Sequence, residues 1–146
     1  MCWPNAWPMR AHMRAPMYTA ISHDIQITVL PEFLPEQSDP DEERFFWAYT
    51  IEIVNRGETN VQLMSRHWRI TDARGRLEEV RGPGVVGEQP ILGPGGSFRY
   101  TSGCPLSTPS GLMVGAYQFV DESGRSFEAD IPAFSLDSPH AKRVLN

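Results

Sequence analysis

The segment after Arg81 is rich in glycine and proline, and it limits the folds that this chain can adopt. It reads Gly82-Pro83-Gly84-Val85-Val86-Gly87-Glu88-Gln89-Pro90, with Gly93-Pro94-Gly95-Gly96 close behind. Proline and glycine disfavour helix interiors, so no helix has room to begin here. The pattern G-x-G-x-x-G matches a dinucleotide-binding motif, but that motif needs a helix that starts near its third glycine. We therefore interpret residues 82–90, the glycine loop, as an exposed loop between two strands.

Apolar residues recur at every second position through much of the chain, which is typical of strands with one buried face. The alternating sets are Ile21, Ile25, Ile27 and Val29, read as one strand; Phe45, Trp47, Tyr49, Ile51 and Ile53; and Phe127, Ala129, Ile131 and Ala133. No segment keeps a helical period. About seven such strands with glycine-containing turns predict an all-β fold, an immunoglobulin-like or fibronectin-type-III-like sandwich of antiparallel strands.

The segment from Val61 to Thr71 changes its phase. Val61 and Leu63 are apolar at odd positions, whereas Trp68 and Ile70 are apolar at even ones. A shift by one residue indicates a β-bulge between Leu63 and Ser65. The same phase predicts that Trp68 faces the core and that His67 faces outward.

Composition restricts the class of protein. Thirteen basic and 18 acidic residues give a net charge of −5, which argues against a general nucleic-acid binder. No apolar run reaches the roughly 18 residues of a membrane-spanning helix, so we expect no membrane partner. The two cysteines, Cys2 and Cys104, give no disulfide framework, and we predict a cytoplasmic protein.

The first 16 residues differ from the rest of the chain. They contain Pro4, Pro8 and Pro16 and show no strand or helix period. We predict that residues 1–16 are a disordered extension, or that the natural start is Met17, and that residues 17–142 form a single domain.

Several strings, in order, resemble the ApaG family of bacterial proteins. They are Ser65-Arg66-His67-Trp68-Arg69-Ile70-Thr71-Asp72, the glycine loop, Phe98-Arg99-Tyr100-Thr101-Ser102, Thr108-Pro109, and shorter matches between Tyr18 and Leu136. The resemblance implies a fibronectin-type-III-like fold and no assigned catalytic residues. It also implies an association with cobalt resistance and magnesium efflux in bacteria, and with protein recruitment in eukaryotes, where the domain occurs in some F-box and DNA-polymerase-interacting proteins.

We predict a binding patch built from the glycine loop and the neighbouring strand. Its residues are Ser65, Arg66, His67, Arg81, Gly82, Gly84, Val85, Val86, Gly87, Glu88 and Gln89. Two valines exposed between glycines would bury apolar area on a partner, and arginine often anchors interfaces. The leading hypothesis is a non-catalytic module that binds an unidentified protein. A homodimer through edge strands stays open.

The alternative is a sensor of small ligands. Backbone amides of the glycine loop form a nest for phosphate or pyrophosphate in this hypothesis, with charge from Arg66 or Arg81. Residues 36–43 contain five carboxylates, and we interpret this segment as a solvent-exposed loop. The more specific hypothesis is that its carboxylates bind a divalent cation or a basic partner.

Catalysis and structural metal binding have little support in the sequence. His67 has serine and cysteine candidates in Ser65, Ser102 and Cys104, but no nucleophile-elbow sequence or oxyanion hole accompanies them. Histidines at positions 12, 23, 67 and 140 lack zinc-ligand spacing. We expect no enzyme activity, no cofactor and no metal site.

Overall fold

The computed structural model describes residues 16–141. Within that range the chain forms nine strands, two short 3₁₀ segments (Pro35–Gln37 and Pro40–Glu42) and no α-helix. The strands are β1 Tyr18–Ser22, β2 Ile25–Phe33, β3 Phe45–Asn55, β4 Val61–Asp72, β5 Leu77–Pro83, β6 Ile91–Leu92, β7 Ser97–Leu106, β8 Gly111–Asp121 and β9 Ser126–Leu136. The predictions for residues 1–15 and for residue 142 lie outside the described residues.

The strands form two antiparallel sheets packed face to face. The first sheet has the order β1-β2-β3-β7, and the second has the order β5-β4-β8-β9, with β6 pairing to β4. The prediction of an all-β, fibronectin-type-III-like sandwich is confirmed. The absence of helix at the glycine loop is confirmed as well, since the end of β5 and a turn occupy it.

The sequence patterns did not reveal two of the nine strands: β1 was read together with β2, and β6 was not predicted. Ile21 to Val29 is not one strand but a hairpin of β1 and β2, turned by His23 and Asp24 at φ of 50° and 64°. Ile21 therefore lies on β1, where it is 60% exposed, while Ile25 on β2 is buried. A two-residue turn needs positive φ at both positions, and without a glycine this turn gave no signal.

The core fills the space between the sheets with alternate residues from each strand. Tyr49 from the first sheet meets Trp68 and Phe134 from the second, with ring centroids 5.5 and 5.9 Å away. Such edge-to-face and tilted aromatic pairs add stabilisation beyond the area they bury. Trp68 is thus a core residue, as predicted.

The predicted bulge lies in β4. Leu63 pairs with Phe119 and Ser65 pairs with Gln118, so Met64 is the extra residue. Its carbonyl accepts hydrogen bonds from the Gly84 amide (2.8 Å) and from Gln89 Nε2 (2.9 Å). A bulge frees backbone groups from the ladder, and here the freed carbonyl holds both ends of the glycine loop.

Candidate functional site: a cavity on the open side of the sandwich

One lateral side of the sandwich is closed. β1 and β2 pack against β9. The Tyr18 hydroxyl is hydrogen-bonded to Ser135 Oγ (3.2 Å), and the Asp130 amide donates to Ser22 Oγ (3.3 Å). On the opposite side β7 and β5 are the edge strands, and the described part of the chain shows no comparable packing between them, so this side is open.

A cavity of about 340 Å³ fills this open side. Six of its lining residues are Tyr49, Arg66, Trp68, Glu78, Tyr100 and Cys104. Its volume is at the lower end of the range for small-ligand sites, and it combines apolar rings with a few polar groups, as such sites do.

The glycine loop closes over one end of the cavity as a tight turn. The Val85 amide donates to the Glu88 carbonyl and the Glu88 amide to the Val85 carbonyl, both at 2.8 Å. Val86 and Gly87 have φ of 42° and 81°, as in a type I′ turn. A β-branched residue at positive φ is strained, so Val86 is held there against its own preference.

The turn corrects one prediction. Both valines were expected to be exposed, but Val85 is fully buried in the core, whereas Val86 is 56% exposed. The turn produces this difference because Val85 is the last residue before it and points inward, while Val86 is at its tip. Gly84 makes the close approach possible, since a Cβ there would lie 2.2 Å from the Glu88 carbonyl oxygen.

Arg66 links the turn to the cavity. Its Nη1 donates to the carbonyls of Pro83 (3.0 Å) and Gly84 (2.9 Å). Gly82 leaves room for the guanidinium, since a Cβ there would lie 3.0–3.1 Å from it. Among residues 16–141 no carboxylate forms an ion pair with Arg66, so its charge is available to a ligand.

The structure divides the predicted patch between two faces of the second sheet. Arg66, Val85 and Val86 line the cavity. His67 and Arg81 lie opposite each other on the outer face, where Glu79 Oε2 is 3.6 Å from His67 Nε2 and Glu79 Oε1 is 3.9 Å from Arg81 Nη2. Strand alternation requires this division, because neighbours along β4 point to opposite faces.

The remaining residues of the predicted patch mainly stabilise the backbone conformation of the glycine loop. Ser65 pairs with Pro83 where β5 ends. Gln89 supplies the side-chain hydrogen bond to Met64, and Gly87 provides the positive φ of the turn. The amides of Gly84, Val85 and Glu88 already donate to backbone carbonyls, so the predicted anion nest lacks those three donors.

Two tyrosines, Tyr49 and Tyr100, line the cavity, and a third, Tyr117, is buried next to Tyr100. Burial raises the pKa values of Tyr49, Tyr100 and Tyr117, and the Tyr100 and Tyr117 hydroxyls are hydrogen-bonded to each other. All three side chains are therefore neutral at physiological pH. The cavity offers neutral hydroxyl groups, one cation (Arg66) and one carboxylate (Glu78).

Cys104 is on the cavity floor, and burial, aided by the charge of Glu78, raises the pKa of its thiol to about 12. A thiol with such a pKa is protonated and inert at neutral pH. His67 lies on the outer face of the other sheet. The geometry therefore does not bring His67 together with Ser102 or Cys104, which line the cavity.

Sequence reasoning placed Tyr49, Trp68, Tyr100 and Cys104 in strands but did not identify them as a site. β3 and β7 bring Tyr49 opposite Ser102, and β4 brings Trp68 across from them. Alternation could show that these residues point inward. It could not show which inward residues lie beside an open edge.

The acidic run and the histidines form no metal centre among the described residues. No group of three or more His, Cys, Asp or Glu side chains in residues 16–141 is placed to hold an ion. Within the run, Asp39 and Glu43 lie near Arg44 (3.7 Å) and Arg74 (3.8 Å), respectively. The described part of the chain also contains no helix that is long and apolar enough to cross a membrane.

Fold and cavity together define an antiparallel β-sandwich domain of fibronectin-type-III type with one open side. A model of the ApaG domain family matches residues 35–121. Proteins named Protein ApaG from Methylocella silvestris and Bradyrhizobium diazoefficiens are 68% and 63% identical over 130 residues, which is 89% of this chain and 100% of each relative. A solved structure of an ApaA protein from Bordetella pertussis is 49% identical with a TM-score of 0.78, covering 84% of this chain and 99% of that one. The chain belongs to the ApaG family.

Proposed function

We propose that this chain is a non-catalytic binding module that recognises a partner protein with the open side of its sandwich. One observation carries the proposal: a cavity with aromatic walls lies between two unpaired edge strands, beneath a strained turn that displays Val86. Arginine is a common interface anchor, and Arg66 forms no ion pair within residues 16–141, while the exposed Val86 adds apolar contact area. The inert thiol of Cys104, which lies in a different sheet from His67, supports a binding role over catalysis.

The proposal predicts that Val86 is an anchor. Replacing it with Asp puts a charge at the tip of an exposed turn, so the fold should survive while the apolar contact is lost. A matched control is Ile21→Asp, a similarly exposed side chain on β1, at the closed side. Affinity capture from lysate of the native source, followed by quantitative mass spectrometry, should show one set of proteins retained by wild type and Ile21→Asp and depleted at least about tenfold by Val86→Asp.

If Val86→Asp captures the same proteins as wild type, the open side is not the binding surface. Size-exclusion chromatography with light scattering reports in the same material whether the retained partner is a second copy of this chain. Cytoplasmic location, which the proposal assumes, is tested by fractionating the same cells.

A second candidate is the binding of a small anion at Arg66. The observation that favours it is the Arg66 guanidinium, which lines the cavity and has no ion pair within the described range 16–141. Titration with pyrophosphate, followed by calorimetry, should then give saturable heat that Arg66→Gln removes. For the cobalt and magnesium association of the family, we propose an indirect route through the bound partner; equivalent titrations with cobalt and magnesium should give no saturable heat.

A further inference from the structure

The backbone of β7 has a free edge that borders the cavity. Four consecutive residues, Ser102 to Pro105, line the cavity. Side chains alternate between the faces of a strand, so four neighbours can border one cavity only if backbone atoms do so as well. Gly103 is among them and has no side chain to contribute.

Hydrogen bonds at both ends of β3 identify which backbone groups face that edge. The Phe46 amide donates to Ser38 Oγ (2.9 Å) and its carbonyl accepts from the Leu34 amide (2.9 Å), so Phe46 faces the β2 side of the sheet. Asn55 exchanges backbone hydrogen bonds with Gly95 and Gly96, on the β7 side. Backbone groups alternate along a strand, so the odd-numbered residues of β3 face β7.

The register then defines the free groups of β7. Tyr49 pairs with Ser102 and Trp47 pairs with Cys104, so these even-numbered residues of β7 bond to β3. Thr101 and Gly103 direct their amides and carbonyls away from β3, toward the cavity side. Pro105 has the same phase, and its missing amide is tolerated there because an edge position needs no donor.

The cavity wall formed by the second sheet has opposite charges at its two ends. On the facing sheet Arg66 pairs with Gly82, and Ile70 pairs with Glu78. Arg66 and Ile70 are four residues apart, or about 13 Å along a strand. Arg66 acts on the pKa of Tyr100, and Glu78 on that of Cys104, so the cationic end lies toward Tyr100 and the anionic end toward Cys104.

We propose that the partner binds by strand addition: an extended segment pairs antiparallel with β7 at Thr101 and Gly103, with a basic residue four positions before an acidic one. This proposal rests on the binding function proposed above and specifies its mode. Residues opposite each other in an antiparallel pair share a face. The basic side chain therefore lies opposite Cys104 near Glu78, an apolar one opposite Ser102 near Trp68, and the acidic one opposite Tyr100 near Arg66.

Edge strands normally carry features that prevent such pairing. β5, the other edge on this side, carries Glu78, Glu79 and Arg81 and ends at Pro83. β7 carries a single charged residue, Arg99, in ten residues, and its proline, Pro105, follows the two proposed pairing residues rather than separating them. Main-chain hydrogen bonds give such complexes their affinity, and side-chain pockets give them specificity.

The test uses two peptides of equal composition and the full chain labelled with ¹⁵N. The forward peptide is acetyl-Lys-Thr-Val-Thr-Glu-amide, and the reversed peptide is acetyl-Glu-Thr-Val-Thr-Lys-amide. We expect the forward peptide to bind about fivefold or more tightly than the reversed one, since only its charges match both ends. The Thr101 and Gly103 amides should shift and exchange more slowly with solvent. Glu78→Gln should reduce the preference between the peptides.

Two variants separate backbone pairing from side-chain effects. Thr101→Pro removes one free amide, whereas Thr101→Val keeps it; both remove the hydroxyl that is hydrogen-bonded to Thr50 Oγ1 (2.8 Å). Thr101→Pro should bind the forward peptide at least about fivefold more weakly than Thr101→Val. If Thr101→Pro does not fold, the hydrogen-exchange rates of the Thr101 and Gly103 amides in the wild-type protein still show whether the peptide pairs with the backbone of β7.

Equal affinity for the two peptides, unchanged exchange at Thr101 and Gly103, or no saturable binding at millimolar peptide would each overturn strand addition. Partner capture that is lost in Val86→Asp but equal in the two Thr101 variants retains the binding function and rejects this mode. Capture that Val86→Asp leaves intact rejects the binding function itself, whatever the peptides do.

Discussion

Single residues determine the chemistry of the cavity. Gly82 leaves the space that the Arg66 guanidinium occupies, and Gly84 allows the chain to pass within 2.2 Å of where a Cβ would be. Cys104 contributes a thiol that burial keeps protonated. The cavity thus combines neutral hydroxyl and thiol groups with one cation, Arg66, and one carboxylate, Glu78.

The thiol gives a prediction at this scale. In a Cys2→Ser background, where Cys104 is the only thiol, alkylation by iodoacetamide at pH 8 should be at least about 100-fold slower than for free cysteine, because little thiolate exists. Adding urea above the unfolding midpoint is the control and should restore the normal rate. Rapid alkylation of the folded protein would contradict the buried, neutral thiol.

The same raised pKa predicts a pH dependence of stability. Burial raises the pKa of Cys104 from 9.0 to about 12 in the folded protein, so its stabilising contribution is complete below pH 9 and is lost as pH rises toward 12. The raised pKa values of the buried tyrosines act in the same direction. The free energy of unfolding measured in urea should therefore fall above pH 9, and less steeply in Cys104→Ala.

Among the elements, the turn at residues 85–88 combines strain with exposure. Val86 has a φ of 42°, which β-branched residues avoid, and Gly87 follows at 81°. Asn-Gly is the preferred pair for a type I′ turn because asparagine tolerates positive φ. A strained residue at an exposed turn is in keeping with selection for contact rather than for stability.

This strain predicts that Val86→Asn stabilises the fold. Converting Val86-Gly87 to the preferred pair should raise the free energy of unfolding by about 1 kcal/mol, measured by urea denaturation. The matched change Val85→Asn, one residue earlier, buries an amide in the core and should cost about 3 kcal/mol. Similar effects from the two changes would show that the turn does not separate a buried from an exposed valine.

Local patterns predicted most elements but not all of their pairings. The shift between Leu63 and Ser65 was visible because apolar residues changed phase there. The turn at His23 and Asp24 was not visible in the sequence. Apolar residues continue at odd positions from Ile21 to Val29, so the alternation shows no interruption at the two turn residues. The two-residue strand β6 is too short to show a period at all.

At the scale of the whole molecule, one buried asparagine joins loops from both sheets. Asn55 ends β3, and its Nδ2 donates to the carbonyls of Thr59 (2.8 Å) and Leu92 (3.0 Å), while its Oδ1 accepts from the Gly57 amide (2.9 Å). It is almost fully buried. A buried residue with three such hydrogen bonds holds the loop after β3 against β6 in the second sheet.

Removing these bonds should destabilise the entire domain. Asn55→Ala leaves buried carbonyls without partners and should lower the free energy of unfolding by about 2–4 kcal/mol in urea denaturation. Asn60→Ala, at an exposed position in the same loop, is the control and should change it by less than about 0.5 kcal/mol. Equal effects would mean that Asn55 is a local turn residue and not a link between the sheets.

The sequence alone determined that the chain is an all-β sandwich of the ApaG type, because period-two alternation and glycine-rich turns are local properties of the chain. It also identified Arg66 and Val86 as candidate binding residues. Only the tertiary structure decided that Val85 is buried, that His67 and Arg81 belong to another surface, and that Tyr49, Trp68 and Tyr100 line a cavity. The physical reason is that a cavity at an open side depends on which strands are edges, and edges follow from long-range pairing that no local pattern contains.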